Sequence, residues 1–223
     1  MNFVFLGDSL MQQNDMSTFP QTGWPSKFNK FVRPEKEILF KNFAKNGRST
    51  KSFIDEGLFD AALSVTKKGD IAFISFGHND EKKEDETRYT DSKTSYVNNL
   101  KFMYDKIKEK GADVIFLTSI TRLKYQDEKL LRTHLDYPDE MKKLALRLDA
   151  KCIDLEKITY DELKPYEYFY NSKYYMVLPK GRYDNYMEGL VDNTHLNNLG
   201  AVWVSFLVYK ELKKDDKYKD LLI

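Results

Sequence analysis

The stretch Phe3-Val-Phe-Leu-Gly-Asp-Ser9-Leu10 decides how the rest of the chain reads. It is a short apolar run, the length of a buried strand, and it stops abruptly at Gly7-Asp8-Ser9. A hydroxyl just past the end of a first β-strand lies at the carboxyl edge of an open α/β sheet, where such sheets bind their ligands. A serine alone is a poor nucleophile. It needs a base, an acid to orient that base, and donors for a developing oxyanion. Ser9 is more than a strand-end cap only if the chain supplies them.

Moving outward, the pattern of apolar run followed by turn residues recurs. Residues 38–43 read as a second strand, with Asn46-Gly-Arg-Ser-Thr50 after it. Residues 70–76 are the clearest buried strand, followed at once by Gly77-His-Asn-Asp80. Residues 114–117 and 151–155 supply a fourth and a fifth. Between them lie helices: one opened by Gly23-Trp24-Pro25 and running to about Val32, one over 52–66 broken near Gly57, and one over 138–148. A long amphipathic helix carries Tyr96, Val97, Leu100, Met103, Tyr104 and Ile107 three or four residues apart and ends at Gly111. Pro25 suits a first helical position because its missing donor is not needed there. Strands alternating with helices at this rhythm predict a three-layer α/β/α sandwich around a mainly parallel sheet of about five strands. The charged run 81–91 reads as a solvated loop, and residues 197–212 as a closing helix.

With 223 residues, the chain is long enough for one sizeable domain over 1–223. Its 36 basic and 35 acidic residues nearly cancel, to a net charge of +1, which argues against nucleic acid or an anionic membrane as partner. The single Cys152 cannot form an internal disulfide and reads as a buried filler. Met1-Asn2 leads directly into the first strand, with no secretory leader and no run approaching a membrane span, so a cytoplasmic protein is expected. Eight of the 15 tyrosines fall between Tyr160 and Tyr186, in an excursion over about 157–191 that breaks the strand–helix rhythm.

Four sites thus stand at predicted loops: Ser9, Gly47, Asn79, and Asp192 with His195. The first three follow successive strands and converge on one sheet edge. Each residue type meets a need of acyl transfer. Ser9 would attack a carbonyl carbon, and His195 would take its proton and return it to the leaving oxygen. Asp192, three residues earlier in the same predicted loop, can fix the tautomer. The Ser9 and Gly47 N–H groups with the Asn79 amide make three donors for the oxyanion. A metal hydrolase is disfavoured, because three histidines without ligand spacing make a poor metal site, and no cofactor is expected.

Gly7-Asp8-Ser9-Leu10, Gly47, Gly77-His78-Asn79-Asp80 and Asp192-x-x-His195 resemble, in order and spacing, the four blocks of the SGNH (GDSL-type) hydrolases. Gly23-Trp24, Asn46-Gly-Arg-Ser-Thr50, Leu135-Asp-Tyr-Pro138 and Asp192-Asn-Thr-His-Leu-Asn197 look more narrowly like the rhamnogalacturonan acetylesterase branch. The resemblance implies the flavodoxin-like sandwich of that family. It assigns Ser9, His195 and Asp192 to the catalytic triad and Ser9, Gly47 and Asn79 to the oxyanion hole. It further implies a carbohydrate O-acetylesterase, with an acetylated pectin-type oligosaccharide as substrate.

Other readings stand beside these. His78 shapes the substrate pocket or holds the Asn79 loop. Arg48 binds a uronic carboxylate or pairs with an acid. Trp24 is a candidate substrate contact, although a tryptophan is more often core than contact. The tyrosine-rich excursion is a sugar-stacking lid, packing, or an interface. A thioesterase or lysophospholipase of the same family would need an apolar acyl groove, and a non-catalytic carbohydrate-binding protein would be indifferent to loss of the Ser9 hydroxyl. His134 has no evident partner.

Overall fold

The first strand, β1 (Asn2–Gly7), is buried along its whole length because helices cover both of its faces. Its side chains alternate between two cores, Phe3 and Phe5 entering one and Val4 and Leu6 the other. The computed structural model describes residues 1–223. In chain order after β1 come α1 (Pro25–Phe28), β2 (Leu39–Asn42), α2 (Thr50–Asp55), α3 (Leu58–Val65), β3 (Ile71–Ser75), α4 (Ser95–Glu109) and β4 (Asp113–Leu117). A small two-stranded ladder, β5 (Tyr125–Gln126) with β6 (Lys129–Leu130), precedes α5 (Tyr137–Arg147) and β7 (Lys151–Ile153). The chain ends with α6 (Leu155–Leu163), α7 (Tyr168–Asn171), β8 (Tyr175–Leu178), β9 (Leu190–Leu196) and α8 (Asn198–Lys213).

The five main strands pair in parallel in the order β2-β1-β3-β4-β7. Helices α1, α6 and α8 cover one face and α2 to α5 the other, so the chain is a three-layer α/β/α sandwich. The order reverses between β1 and β3, which opens a crevice at their carboxyl ends, where Ser9 and Asn79 follow.

Local chemistry explains most boundaries. Ser49 caps α2 by accepting from the Ser52 N–H, and the Ser52 hydroxyl accepts from the Ser49 N–H in return. Gly57, at φ 73°, separates α2 from α3. The helix expected to reach Val32 ends at Phe28 and continues as a tighter 3₁₀ turn over Asn29–Phe31. Asn197 caps α8 through the N–H groups of Leu199 and Gly200, at 2.9 and 3.0 Å. Burial pushes the Cys152 thiol up to about 12, so it stays protonated. No helix is long and apolar enough to cross a membrane.

One expectation is corrected. Asp192 to His195 do not lie in a loop but on β9, the second strand of an antiparallel hairpin with β8. The run Asp192-Asn-Thr-His195 lacks the apolar alternation that marks a strand, because part of it bulges out of the ladder.

Candidate active site

That bulge creates the meeting of Asp192 and His195. Tyr175 pairs with Leu196 and Met176 with Asp192, so one residue of advance on β8 is matched by four on β9. On a regular strand, residues three apart would point to opposite faces. Here the Asp192 carboxylate folds the bulge around itself, its Oδ1 accepting from the N–H groups of Thr194 (2.9 Å) and His195 (3.1 Å). Its Oδ2 is left to face the His195 ring, 2.6 Å from Nδ1. Burial pushes the Asp192 carboxyl upward. The hydrogen bond and charge of His195, with the two backbone donors, outweigh it and hold the group at about 2.

On its other side, His195 Nε2 lies 2.9 Å from Ser9 Oγ. With the carboxylate at Nδ1, the imidazole proton sits on Nδ1 and Nε2 is free to accept the serine hydroxyl. Ser9 itself sits in a tight turn: Asp8 Oδ1 accepts from the Leu10 N–H at 3.0 Å, and the Asp8 carbonyl accepts from Met11 and Gln12. The neighbouring Gly23-Trp24 segment braces this turn through Gly23 N–H to Gln12 O and Trp24 N–H to Leu10 O, both 3.0 Å. A side chain at Gly23 would collide with the backbone of Met11 and Gln12, so the close approach requires glycine.

Three candidate donors belong to residues that line the pocket holding the Ser9 hydroxyl. The Ser9 and Gly47 N–H groups have no acceptor within the protein, and both residues line the pocket that holds Ser9 and His195. Gly47, at φ 75°, occupies the left-handed corner of a turn closed by Arg48 N–H to Lys45 O. Asn79 Nδ2 donates to Arg48 O at 3.1 Å, which leaves its second amide hydrogen unused. Asn79 Oδ1 accepts from Arg88 at 3.4 Å, so the amide is oriented from both ends. The loops carrying Gly47 and Asn79 are also tied through Asp80, whose carboxyl accepts from Thr50 N–H (3.0 Å), Thr50 Oγ1 (2.5 Å) and Thr90 Oγ1 (2.8 Å). Burial pushes Asp80 up to about 7 against those donors.

The pocket, about 380 Å³, is lined by no apolar side chain. Besides Ser9, Asp192 and His195, its wall includes Lys82, Arg88 and Arg122, which sequence reasoning missed. Lys82 and Arg88 belong to the charged run read as solvated. That run is a loop with Lys83, Glu84, Glu86 and Thr87 exposed, as expected, but Thr90 is buried, Glu81 is paired to Arg122, and Lys82 and Arg88 enter the pocket wall. Its signal was charge alone, which does not say where a long side chain reaches.

The candidate substrate contacts fare differently. Trp24 is 0% exposed, wedged among Phe5, Phe28 and Phe73 with its carbonyl accepting from Ser205, and presents nothing to a ligand. Its aromatic bulk is spent in the core instead. Arg48 turns away from Ser9 and binds Glu56 Oε2 at 3.0 and 2.8 Å; its carbonyl, not its guanidinium, serves the site. His78 lines the pocket, buried, with Nδ1 3.5 Å from Asp8 Oδ2. Burial and the neighbouring His134 ring lower His78 to about 4, so it is neutral at ordinary pH. His134 finds its partners in the Ile120 carbonyl, 2.9 Å from Nε2, and in Glu81, 3.6 Å from Nδ1.

Comparison with known proteins bears on the chain as a whole. Residues 5–202 match the model of the GDSL-like lipase/acylhydrolase family. Among characterised proteins, rhamnogalacturonan acetylesterase RhgT of Bacillus subtilis is 33% identical over 216 residues, 95% of this chain and 89% of the relative. The probable rhamnogalacturonan acetylesterase YesY of the same organism is 32% identical over 96% of this chain and 93% of its own length. Among solved structures, the Bacillus subtilis protein YxiM superposes with a TM-score of 0.78 at 22% identity, covering 96% of this chain and 56% of that longer one. The acetylxylan esterase Axe2 of Geobacillus stearothermophilus gives 0.67 at 14% identity, covering 94% and 93%. At such identities the structural matches speak for the fold.

Proposed function

The chain belongs to the GDSL-like lipase/acylhydrolase family and is a carboxylic ester hydrolase, and from that premise we propose that it removes O-acetyl groups from a carbohydrate through Ser9, His195 and Asp192. The observation that carries the reading is the hydrogen-bonded line from Asp192 Oδ2 through the His195 ring to Ser9 Oγ, at 2.6 and 2.9 Å, inside a wholly polar pocket. Ser9 Oγ attacks the acetyl carbonyl carbon as His195 Nε2 takes its proton. The oxyanion that forms is held by the Ser9 and Gly47 N–H groups and the spare Asn79 amide hydrogen. Collapse breaks the bond to the sugar oxygen, which receives the proton from His195, and leaves acetyl-Ser9. A water, deprotonated by the same imidazole, then releases acetate.

The relatives named for rhamnogalacturonan support a pectin-type acetylated oligosaccharide as the substrate. A pocket without apolar lining suits a sugar and offers no groove for a long acyl chain, which disfavours a thioesterase or lysophospholipase. The test is acetate release from acetylated rhamnogalacturonan oligosaccharides and from p-nitrophenyl acetate. Ser9→Ala is expected to lower kcat by about 10⁶-fold. A Ser9→Ala protein as active as the wild type would sink the mechanism, and a wild-type enzyme that turns over p-nitrophenyl acetate but releases no acetate from the oligosaccharides would sink the substrate.

A further inference from the structure

The turn that carries Asn79 is held at both ends by buried tyrosines. On its near side, the Phe76 carbonyl accepts from the Tyr96 hydroxyl at 2.9 Å, and at a longer 3.4 Å from Ser119 Oγ. On its far side, the Tyr137 hydroxyl lies 3.1 Å from Asp80 O and 2.5 Å from Thr90 O, and shares its hydrogen between them. Tyr96 comes from α4 and Tyr137 from α5. Their rings meet edge to face, with centroids 5.0 Å apart, and both are buried. Burial raises both phenols, so each keeps the proton it donates.

The core alone does not require these hydroxyls. Phenylalanines such as Phe53, Phe59 and Phe116 fill other positions of the same core without one. A buried hydroxyl stabilises only when it is partnered, and here the partners are the backbone on either side of one residue. The far contact does more. Asp80 and Thr90 close the neck of a loop, also joined by Thr90 N–H to Asp80 O at 3.0 Å. Closing that neck returns Arg88 to Asn79 Oδ1, at 3.4 Å. Tyr137 belongs to the run Leu135-Asp-Tyr-Pro138, which has no part in the centre described above.

We propose that Tyr96 and Tyr137 are positioning residues for the oxyanion hole: by holding the backbone on both sides of Asn79, they aim its second amide hydrogen at the acetyl oxygen. The proposal rests on the acyl-transfer reading given above, in which Asn79 is an oxyanion donor. The charge on that oxygen develops only in the transition state. A slightly displaced amide therefore lowers kcat and leaves KM nearly unchanged.

The experiment measures kcat and KM for p-nitrophenyl acetate, with the melting temperature, in Tyr96→Phe and Tyr137→Phe, each alone and combined with Asn79→Ala. Tyr104→Phe is the control: it lies on the same helix as Tyr96, and its hydroxyl donates to Leu148 O at 3.1 Å, away from the Ser9 pocket. Tyr96→Phe and Tyr137→Phe are each expected to lower kcat about tenfold with KM little changed, the scale of a donor misplaced rather than missing. Tyr104→Phe should cost similar stability and leave kcat alone. In the Asn79→Ala background the same two changes should lower kcat no further, because the group they aim is gone. Wild-type kcat in both Tyr96→Phe and Tyr137→Phe overturns the proposal, as does a loss that repeats in full without Asn79 or appears equally in Tyr104→Phe. Unchanged kcat in Asn79→Ala alone overturns instead the assignment of Asn79 as an oxyanion donor, and the proposal with it.

Discussion

Replacing Asp192 by Asn tests the centre most sharply, because it changes charge and proton placement while leaving shape alone. The Asn carbonyl oxygen can keep both backbone bonds that Oδ1 now makes, to Thr194 and His195, so the bulge in β9 should survive. That places the amide NH2 where Oδ2 lies, 2.6 Å from His195 Nδ1. Two donors then face each other, and the imidazole proton must move to Nε2, the atom that should accept from Ser9. The electrostatic share can be sized. A carboxyl held at about 2 rather than 3.8 represents at most about 2.5 kcal/mol net of burial, and solvent screening at this half-buried group trims that, so its share of the loss lies below about 70-fold in rate. The wrong tautomer adds to this, for a total loss of about 10⁴-fold in kcat. The assay is kcat for p-nitrophenyl acetate hydrolysis, with the melting temperature measured alongside. Asp192 titrates far below the assay range, so the acid limb of the wild-type pH profile should not belong to it. An Asp192→Asn protein that melts like wild type and retains kcat within tenfold of it would falsify the assignment of Asp192 as the orienting acid.

Two other substitutions probe the loops around the centre. Asn79→Ala removes one of the three proposed oxyanion donors and should lower kcat by about 10²–10³-fold, or 2.7–4 kcal/mol, with KM moving much less; a loss below tenfold would mean the amide does not reach the oxyanion. Asp80→Asn should change the pH dependence of stability. Asp80, raised to about 7, contributes stability that is full below its unfolded value of 3.8 and is lost as pH rises through 7; His78, lowered to about 4, contributes stability that is full above 6.5 and is lost as pH falls through 4. These slopes oppose each other between pH 4 and 6.5, so wild-type stability in urea should be nearly flat there, whereas Asp80→Asn should grow more stable with rising pH. A flat Asp80→Asn profile would contradict the His78 assignment, and a wild-type profile that rises as steeply as the variant's would contradict that of Asp80.

Much of this fold could be read from the sequence, and the reason is local. Runs such as Phe3–Leu6 and Ile71–Ile74 are apolar at every position, which only a strand covered on both faces requires. Each ends at turn residues, so Ser9, Gly47 and Asn79 could be placed at one sheet edge before any coordinates. The failures lie where distant residues decide. Trp24 is core because the Ser9 turn packs over it, and Arg48 faces away because Glu56 holds it. Lys82, Arg88 and Arg122 enter the pocket through the fold of their loops, which periodicity does not encode. Nothing in a charged run says which of its cations will be left without a partner.

The tyrosine-rich excursion shows the same point from the other side. Composition offered it as a lid, as packing or as an interface, and parts of it bear on the geometry of Asp192 and His195. The bulge of β9 that lets Asp192 reach His195 is held at Asn193: its carbonyl accepts from Leu123 N–H and its Oδ1 from Tyr168 OH, both at 2.8 Å. Tyr175, fully buried beside the bulge, donates to Thr121 O at 2.6 Å and so fastens the hairpin to the loop after β4. Asn197, two residues past His195, donates to the carbonyls of Lys173 and Tyr175 while it caps α8. His195 is therefore clamped on both sides by residues of the excursion and the β4 loop. Tyr166 and Tyr170, stacked on each other at 4.5 Å and about half exposed, take no part in that clamp. A histidine 186 residues from its serine along the chain needs such bracing: a shift of 1 Å would lengthen the 2.9 Å bond from Nε2 to Ser9 Oγ beyond hydrogen-bonding distance.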